Sequence, residues 1–220
     1  MFEDVARRIE AVQNEIEPCK PVIIAVTKYF DEHGIIAYYN AGLRDFGENR
    51  VADALSKFER LPEEIRKNSR FHLIGHLQTN KVKDAVGKFD LIHSVDSVKL
   101  ARKISSEACE KNIVQDVLVQ INNADEQSKF GFRTDCVFDA FAEIVNLPGL
   151  NVKGVMNIAP ISDDEKYLAG LFAQIREIRD KLRSNFNVPL PIISEGMSND
   201  YKIAVQQGST MIRLGRVLFR

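Results

Sequence analysis

A chain of 220 residues, 45% hydrophobic and 28% charged with a formal net charge of −1, can build one large domain or two small ones. It carries no basic surplus of the kind that nucleic acid demands. Its three cysteines, Cys19, Cys109 and Cys136, are odd in number and far apart, which suits a reducing compartment and not a disulfide framework. The opening Met-Phe-Glu-Asp is acidic and leads into no apolar signal segment. No apolar run approaches the length needed to span a bilayer, so a soluble cytoplasmic protein is expected.

Phe2, Val5, Ile9, Val12 and Ile16 fall at helical spacing and predict an opening amphipathic helix. Pro18 and Pro21 end it. The β-branched run Val22–Thr27 predicts a buried strand. Asp31 is a plausible N-cap for a helix through Ala41. A short strand and turn follow at 43–49, then a helix from about Val51 to Arg60. The next expected strand is Phe71–Gly75, with a helix from Asn80 to Val86. Phe89–Val95 is a strand, and Asp96 is expected to cap a helix to about Glu110. Val114–Ile121 is the most strand-like run in the chain. A helix is expected over Val137–Val145 and a strand over Val152–Ile158. A long helix is expected over Asp164–Leu182, striped by Leu168, Leu171, Phe172, Ile175, Ile178 and Leu182. Pro191–Ser194 is a strand, Ser198 caps a helix to Gln207, and Thr210–Leu214 is the eighth strand.

Strict strand-then-helix alternation argues for a parallel sheet. Eight repeats in about 200 residues fit a single small (β/α)₈ barrel of the TIM type with an extra N-terminal helix. An open doubly wound sheet needs fewer strands, and no Gly-x-Gly-x-x-Gly follows the first strand. No low-complexity linker marks a second domain, so residues 1–220 are expected to form one.

In such a barrel the chemistry lies at the carboxyl ends of the strands. Lys28 ends the first strand and shares a face with Val22, Ile24 and Val26. A lysine at the mouth of a core is partly desolvated, which favours the neutral amine that Schiff-base chemistry needs. The alternative is a lysine that ends the strand and points into solvent. After the seventh strand comes Ser194-Glu-Gly-Met-Ser-Asn-Asp200. A glycine and two serines between strand and helix make an anion site, and barrels often hold phosphate there. Gly215 permits close backbone approach. Ser198 can cap a helix and still bind phosphate. Arg213 lies in an otherwise apolar strand and needs a partner: either a core carboxylate such as Glu48 or Glu195, or a ligand nitrogen or phosphate. His72 and His76 are four apart, but a strand entering a glycine turn does not bring them together as metal ligands. No Ser/His/Asp arrangement is defensible, and the aromatic residues read as packing.

Several segments in order resemble the pyridoxal-phosphate-binding homeostasis family, known as the YggS or PROSC family. They are Ala25–Lys28, Phe46–Arg50, His72–Lys81, Asp90–Asp96, Lys129–Gly131, Gly154–Pro160, Ser194–Asp200 and Ile212–Gly215. The resemblance runs nearly end to end. It implies a fold similar to the barrel domain of alanine racemase and binding of pyridoxal 5′-phosphate (PLP). By resemblance, Lys28 holds the cofactor as a Schiff base. Ser194, Ser198 and Gly215 lie at its phosphate with the Met197 backbone. Arg213 faces the pyridine nitrogen and Asn49 lines the pocket near the ring. The implied role is an intracellular carrier or buffer of PLP with little or no catalysis. PLP-dependent apoenzymes are the implied recipients, and a monomer or weak dimer is expected.

This chain departs from the family where Glu195 replaces a methionine, where Arg216 replaces a threonine that could touch phosphate, and at its Phe219-Arg220 ending. Tyr29 and Phe30 are bulkier than usual beside the lysine. The other readings are a PLP-dependent racemase or lyase, and a barrel that binds a different phosphorylated metabolite. Racemisation needs a second base opposite Lys28. In the similar racemases it comes from an additional carboxyl-terminal domain, which is not expected here because the sequence ends seven residues after Arg213. The only replacement bases on offer are Tyr29, Tyr38, Tyr39, Tyr167 and Tyr201.

Overall fold

The first helix stops short of Pro18, which cannot donate the backbone N–H that a further turn would need. In the computed structural model, which describes residues 4–124, 126 and 129–219, that helix is α1 (Val5–Glu15) and the strand after the prolines is β1 (Val22–Val26). Next come α2 (Glu32–Asn40), β2 (Asp45–Glu48), α3 (Val51–Arg60), α4 (Glu63–Lys67) and β3 (Arg70–Leu73). A 3₁₀ turn at Thr79–Lys81 leads to α5 (Val82–Ala85), β4 (Leu91–Val95), α6 (Val98–Glu110) and β5 (Gln115–Asn122). After these come β6 (Phe132–Arg133), α7 (Val137–Ile144), β7 (Leu150–Asn157) and α8 (Glu165–Phe186). The chain finishes with β8 (Ile192–Ser194), α9 (Tyr201–Gln206), β9 (Met211–Leu214) and α10 (Arg216–Phe219).

The strands are parallel and run β1-β2-β3-β4-β5-β7-β8-β9, with β9 returning to β1. Ile24 is in register with Asp45 on one side and with Arg213 on the other, so the sheet closes. This is the expected (β/α)₈ barrel, with α1 as the extra helix. The short β6 is an addition: it pairs only with the end of β5, on the side away from β7. Alternation divides each strand between two cores. Ile23 and Ala25 join the large core beneath the helices, with Ile9, Val12 and Leu218. Ile24 and Val26 are equally buried but point into the barrel. There a small apolar cluster of Leu91, Leu118 and Met156 fills part of the interior.

Asp31 caps its helix as expected, accepting from the amide of His33, and Asp164 caps α8, accepting from the amide of Tyr167. Two other expected caps are corrected. Ser97, not Asp96, caps α6, accepting from Leu100 N at 3.2 Å. Asp96 is engaged by His76 Nδ1 at 2.8 Å. Ser198 does not cap α9, which begins after Asp200. Helix α8 runs past Leu182 to Phe186 and stops at Asn187, whose φ of 52° is the left-handed conformation that asparagine tolerates at a helix end. Phe2 and Arg220 lie outside the described residues. No helix among those residues is long and apolar enough to cross a membrane.

Candidate functional site

The site rests on a buried ion pair below Lys28. Helix α3 turns Val51, Ala54, Lys57 and Phe58 inward together. Lys57 Nζ meets Glu48 Oε1 at 2.8 Å and donates to the Thr27 carbonyl at 2.9 Å. The Thr27 hydroxyl donates to the same carboxylate oxygen at 2.6 Å. Both charges are almost fully buried, so each depends on the other. Together they pin the end of β1, and Lys28 is the next residue. Lys28 is exposed, with its ammonium 4.9 Å from the centroid of the Tyr29 ring. The expected partial desolvation of Lys28 is therefore corrected: β1 ends at Val26, and the chain has left the barrel before Lys28.

Lys28, Tyr29, Met197, Ser198, Arg213, Gly215 and Arg216 border one cleft of about 480 Å³ at the carboxyl ends of the strands. Arg213 is 4% exposed. Its Nη1 donates to the Ser194 carbonyl at 2.7 Å and to Ser194 Oγ at 2.8 Å, and its Nη2 donates to the Asn157 carbonyl at 2.8 Å. Neither expected carboxylate forms an ion pair with it: Glu48 is held by Lys57, and Glu195 has no hydrogen-bond partner among the described residues. Burial pushes Arg213 down to about 10, against the pull of Asp200 and Glu195, so it remains a cation at neutral pH. Burial likewise raises Glu195 well above the carboxylate range. Asp200 is raised by burial too, although its Oδ1 accepts from Met197 N at 2.5 Å.

On the far wall the amides of Ser198, Asn199 and Arg216 find no acceptor among the described residues. Among the described residues Ser198 Oγ accepts only from Val217 N, at a long 3.4 Å. A methyl group at Gly215 would make ordinary 3.6 Å contacts with Val26 and Phe219. The protein's own packing therefore does not demand glycine there, and the open space belongs to the cleft. Arg216 extends its guanidinium to Asn199 Oδ1 at 3.1 Å. Free amides and two guanidinium groups form a cradle for an anion.

Two expected site residues sit elsewhere. Ser194 is fully buried beneath Arg213, because it alternates with Ile193 and points into the barrel. Its hydroxyl contacts Arg213 and His93 Nδ1, the latter at 2.9 Å. Asn49 is half-buried past the end of β2, and its backbone lies so close to Gly75 that a Cβ there would meet Asn49 O at 2.2 Å. His72 and His76 diverge as expected: His72 enters the barrel, while His76 stacks on Phe130 with centroids 3.7 Å apart. Of the tyrosines, Tyr29 alone borders the cleft, 70% exposed. Tyr38 is buried, which pushes it up to about 12, and Tyr201 donates to Glu15. Sequence alone assigned no role to Lys57 or His93, and placed Asn157 and Asp200 at strand ends without assigning them one. Lys57 left a signal, a lysine on the apolar stripe of α3; His93 and Asn157 depend on contacts between strands, and Asp200 on the local turn that brings it to Met197 N.

The closed parallel barrel is the fold of a known class. The family described as "Alanine racemase, N-terminal domain" matches residues 2–220. Alanine racemase of Clostridium difficile shares only 16% identity, with a TM-score of 0.78 over 99% of this chain and 56% of that one, and shows the fold alone. Within that class the chain belongs to the pyridoxal phosphate homeostasis proteins. The Aquifex aeolicus protein of that name is 37% identical over 222 residues, 99% of this chain and 96% of its own length. The structure of PipY from Synechococcus elongatus with PLP bound has a TM-score of 0.86 and 32% identity, covering 98% of this chain and all of PipY.

Proposed function

We propose that this chain binds pyridoxal 5′-phosphate in the cleft and serves intracellular PLP homeostasis as a carrier or buffer. The observation that carries the reading is Arg213, a buried cation without an ion-paired carboxylate among the described residues, sharing a cleft with Lys28 and free backbone amides. The donor set fits the group: an amine for an aldehyde, amides for a phosphate and a guanidinium for a ring nitrogen. When bound, PLP supplies an electrophilic aldehyde and an electron-withdrawing ring.

Lys28 provides the amine for covalent attachment. Ser198, the Met197 backbone and Gly215 surround the phosphate, and Arg216 adds positive charge. Asn49 does not border the cleft, and its assignment to the ring side rests on the family resemblance alone. Arg213 faces the ring nitrogen, and Ser194 holds Arg213 in place rather than touching phosphate. A guanidinium at the ring nitrogen disfavours its protonation, since two positive charges would meet. That favours carriage over turnover of amino acids. We place the protein in the cytoplasm, as a monomer or weak dimer, with PLP-dependent apoenzymes as recipients.

The test is to load the protein with PLP, reduce with borohydride and locate the added mass. Attachment at Lys28, lost in Lys28→Ala with the fold intact by circular dichroism, is the expected result. A stoichiometric adduct elsewhere in Lys28→Ala would overturn the assignment, with Lys81 and Lys129 the next residues to examine. Turnover of alanine at roughly 1 s⁻¹ or faster would replace the carrier reading with an enzyme.

A further inference from the structure

The barrel interior holds a polar column that the cleft alone does not explain. Arg213 on β9, Ser194 on β8, His93 on β4, His72 on β3 and Asp45 on β2 touch in sequence, and none is more than 5% exposed. Arg213 Nη1 lies 2.8 Å from Ser194 Oγ, and Ser194 Oγ lies 2.9 Å from His93 Nδ1. His93 Nε2 lies 3.0 Å from His72 Nδ1, and His72 Nε2 lies 3.0 Å from Asp45 Oδ1. Arg70 closes the far end, gripping both Asp45 oxygens at 2.7 and 2.6 Å. Asp45 and Arg70 border a separate cleft at the opposite end of the barrel, with Lys20 and Arg44. The column thus joins the two ends of the molecule.

The hydrogens along it can be placed by elimination. Burial raises Asp45, but the hydrogen bonds from His72 and Arg70 outweigh it and hold the carboxyl below its ordinary range. As a carboxylate it only accepts, so His72 Nε2 carries a hydrogen. A neutral His72 then accepts at Nδ1, and His93 Nε2 donates to it. Burial, reinforced by the Arg213 charge, holds His93 well below the usual histidine range, so it too is neutral and accepts at Nδ1. The Ser194 hydroxyl donates there, leaving its lone pairs for Arg213. Every link donates toward Asp45. With His72 charged instead, the two links between His72 and Ser194 reverse: His93 and Arg213 both donate to Ser194 Oγ, and the Ser194 hydroxyl hydrogen has no acceptor in the column. In a buried interior that arrangement is penalised, and aligned bonds strengthen one another.

We infer that His93 and His72 are positioning residues for the ligand: acting through Ser194, this one-way column fixes the Arg213 guanidinium so that its spare donors meet the ring nitrogen of PLP. The inference rests on the PLP reading of the cleft. Of the five N–H donors of Arg213, two on Nη1 and one on Nη2 are committed to Ser194 and Asn157. The Nε–H and one Nη2–H remain without an acceptor among the described residues. Turning the guanidinium would forfeit the Ser194 contact. Arg213 donates to Ser194 Oγ in either arrangement, but only while His93 accepts the serine hydrogen is every hydrogen from Ser194 to Asp45 paired.

Two measurements test this. Nitrogen-15 NMR of the histidine rings in the ligand-free protein should find both His72 and His93 protonated at Nε2; either one protonated at Nδ1 alone would overturn the column's direction. The second measurement compares affinities for PLP and for its analogue with CH in place of the ring nitrogen. The whole protein should prefer PLP about tenfold or more, the size of a hydrogen bond to a charged group. Ser194→Ala and His93→Phe should each erase most of that preference by weakening PLP alone, while His93→Gln, which keeps one donor and one acceptor, should retain it. Equal weakening of both ligands would mean a merely structural role and overturn the inference. A wild-type protein that binds both ligands equally would refute the ring contact and this inference while leaving PLP binding standing. One that binds neither would refute the proposed function as well, and the tautomers would still report the column separately.

Discussion

Two buried cations flank the cleft and are held in opposite ways. Lys57 meets a buried carboxylate at 2.8 Å, so its charge is neutralised inside the protein. Arg213 meets carbonyls and a hydroxyl, and Asp200 and Glu195 pull on it without forming an ion pair. Both side chains cost solvation energy to bury. The first offsets that cost with its own neighbour and serves as scaffold. The second leaves part of it to be offset by a ligand. Burial with a counter-charge marks structure; burial without one marks a site.

The largest expected effect breaks the first pair. Lys57→Met leaves Glu48 buried and unpaired, which should cost about 3–5 kcal/mol in urea unfolding of the ligand-free protein. A loss below about 1 kcal/mol would mean that the pair is not structural. Arg213→Lys keeps a cation but gives up the fork. It should weaken PLP binding by about 10- to 100-fold, by equilibrium titration, with a smaller stability loss than Lys57→Met. Ser198→Ala should weaken PLP about tenfold and leave ligand-free stability within about 0.5 kcal/mol, because Ser198 caps no helix. A melting shift without a change in affinity would return it to a structural role.

Glu195 sharpens the comparison from the other side, as a buried carboxyl with no partner for either oxygen among the described residues. Glu195→Met should raise stability at pH 7 by on the order of 1 kcal/mol. Its pH dependence follows from the raised folded value. Below about pH 4 both folded and unfolded chains hold the proton. As the pH rises toward the folded value, the unfolded chain releases it and the folded chain does not, so the wild type loses stability. The advantage of Glu195→Met should therefore grow with pH above about 4 in melting curves; an advantage independent of pH would assign it to packing instead.

Most barrel strands were legible as β-branched or apolar runs followed by a helical pattern; β2, Asp-Phe-Gly-Glu, and β3, Arg-Phe-His-Leu, were placed by the alternation around them. The elements β6, α4 and α10 are short and fall outside the strand–helix alternation that located the comparably short barrel strands. The misplaced caps share one cause. Asp96 and Ser97 are adjacent, as are Ser198, Asn199 and Asp200, and sequence does not say which polar side chain is spent elsewhere. The residues that border the cleft were readable because barrel topology gathers strand ends, and family resemblance supplied the ligand. Ser194 was misread because which way it faces depends on the strand's alternation inside a closed barrel. His72 and His93 could not be paired from sequence at all, since their contact requires adjacent strands in register.

The closed sheet has a consequence for behaviour in a crowded cell. An open sheet ends in strands whose unpaired N–H and C=O groups can recruit another chain and seed aggregation. Here the return of β9 to β1 removes such margins from all eight barrel strands. The remaining margin among the described residues is β6, two residues long and ending in the exposed Arg133. A template that short, closed off by a charge, offers little for a second chain to extend, so intermolecular sheet growth should need prior opening of the barrel.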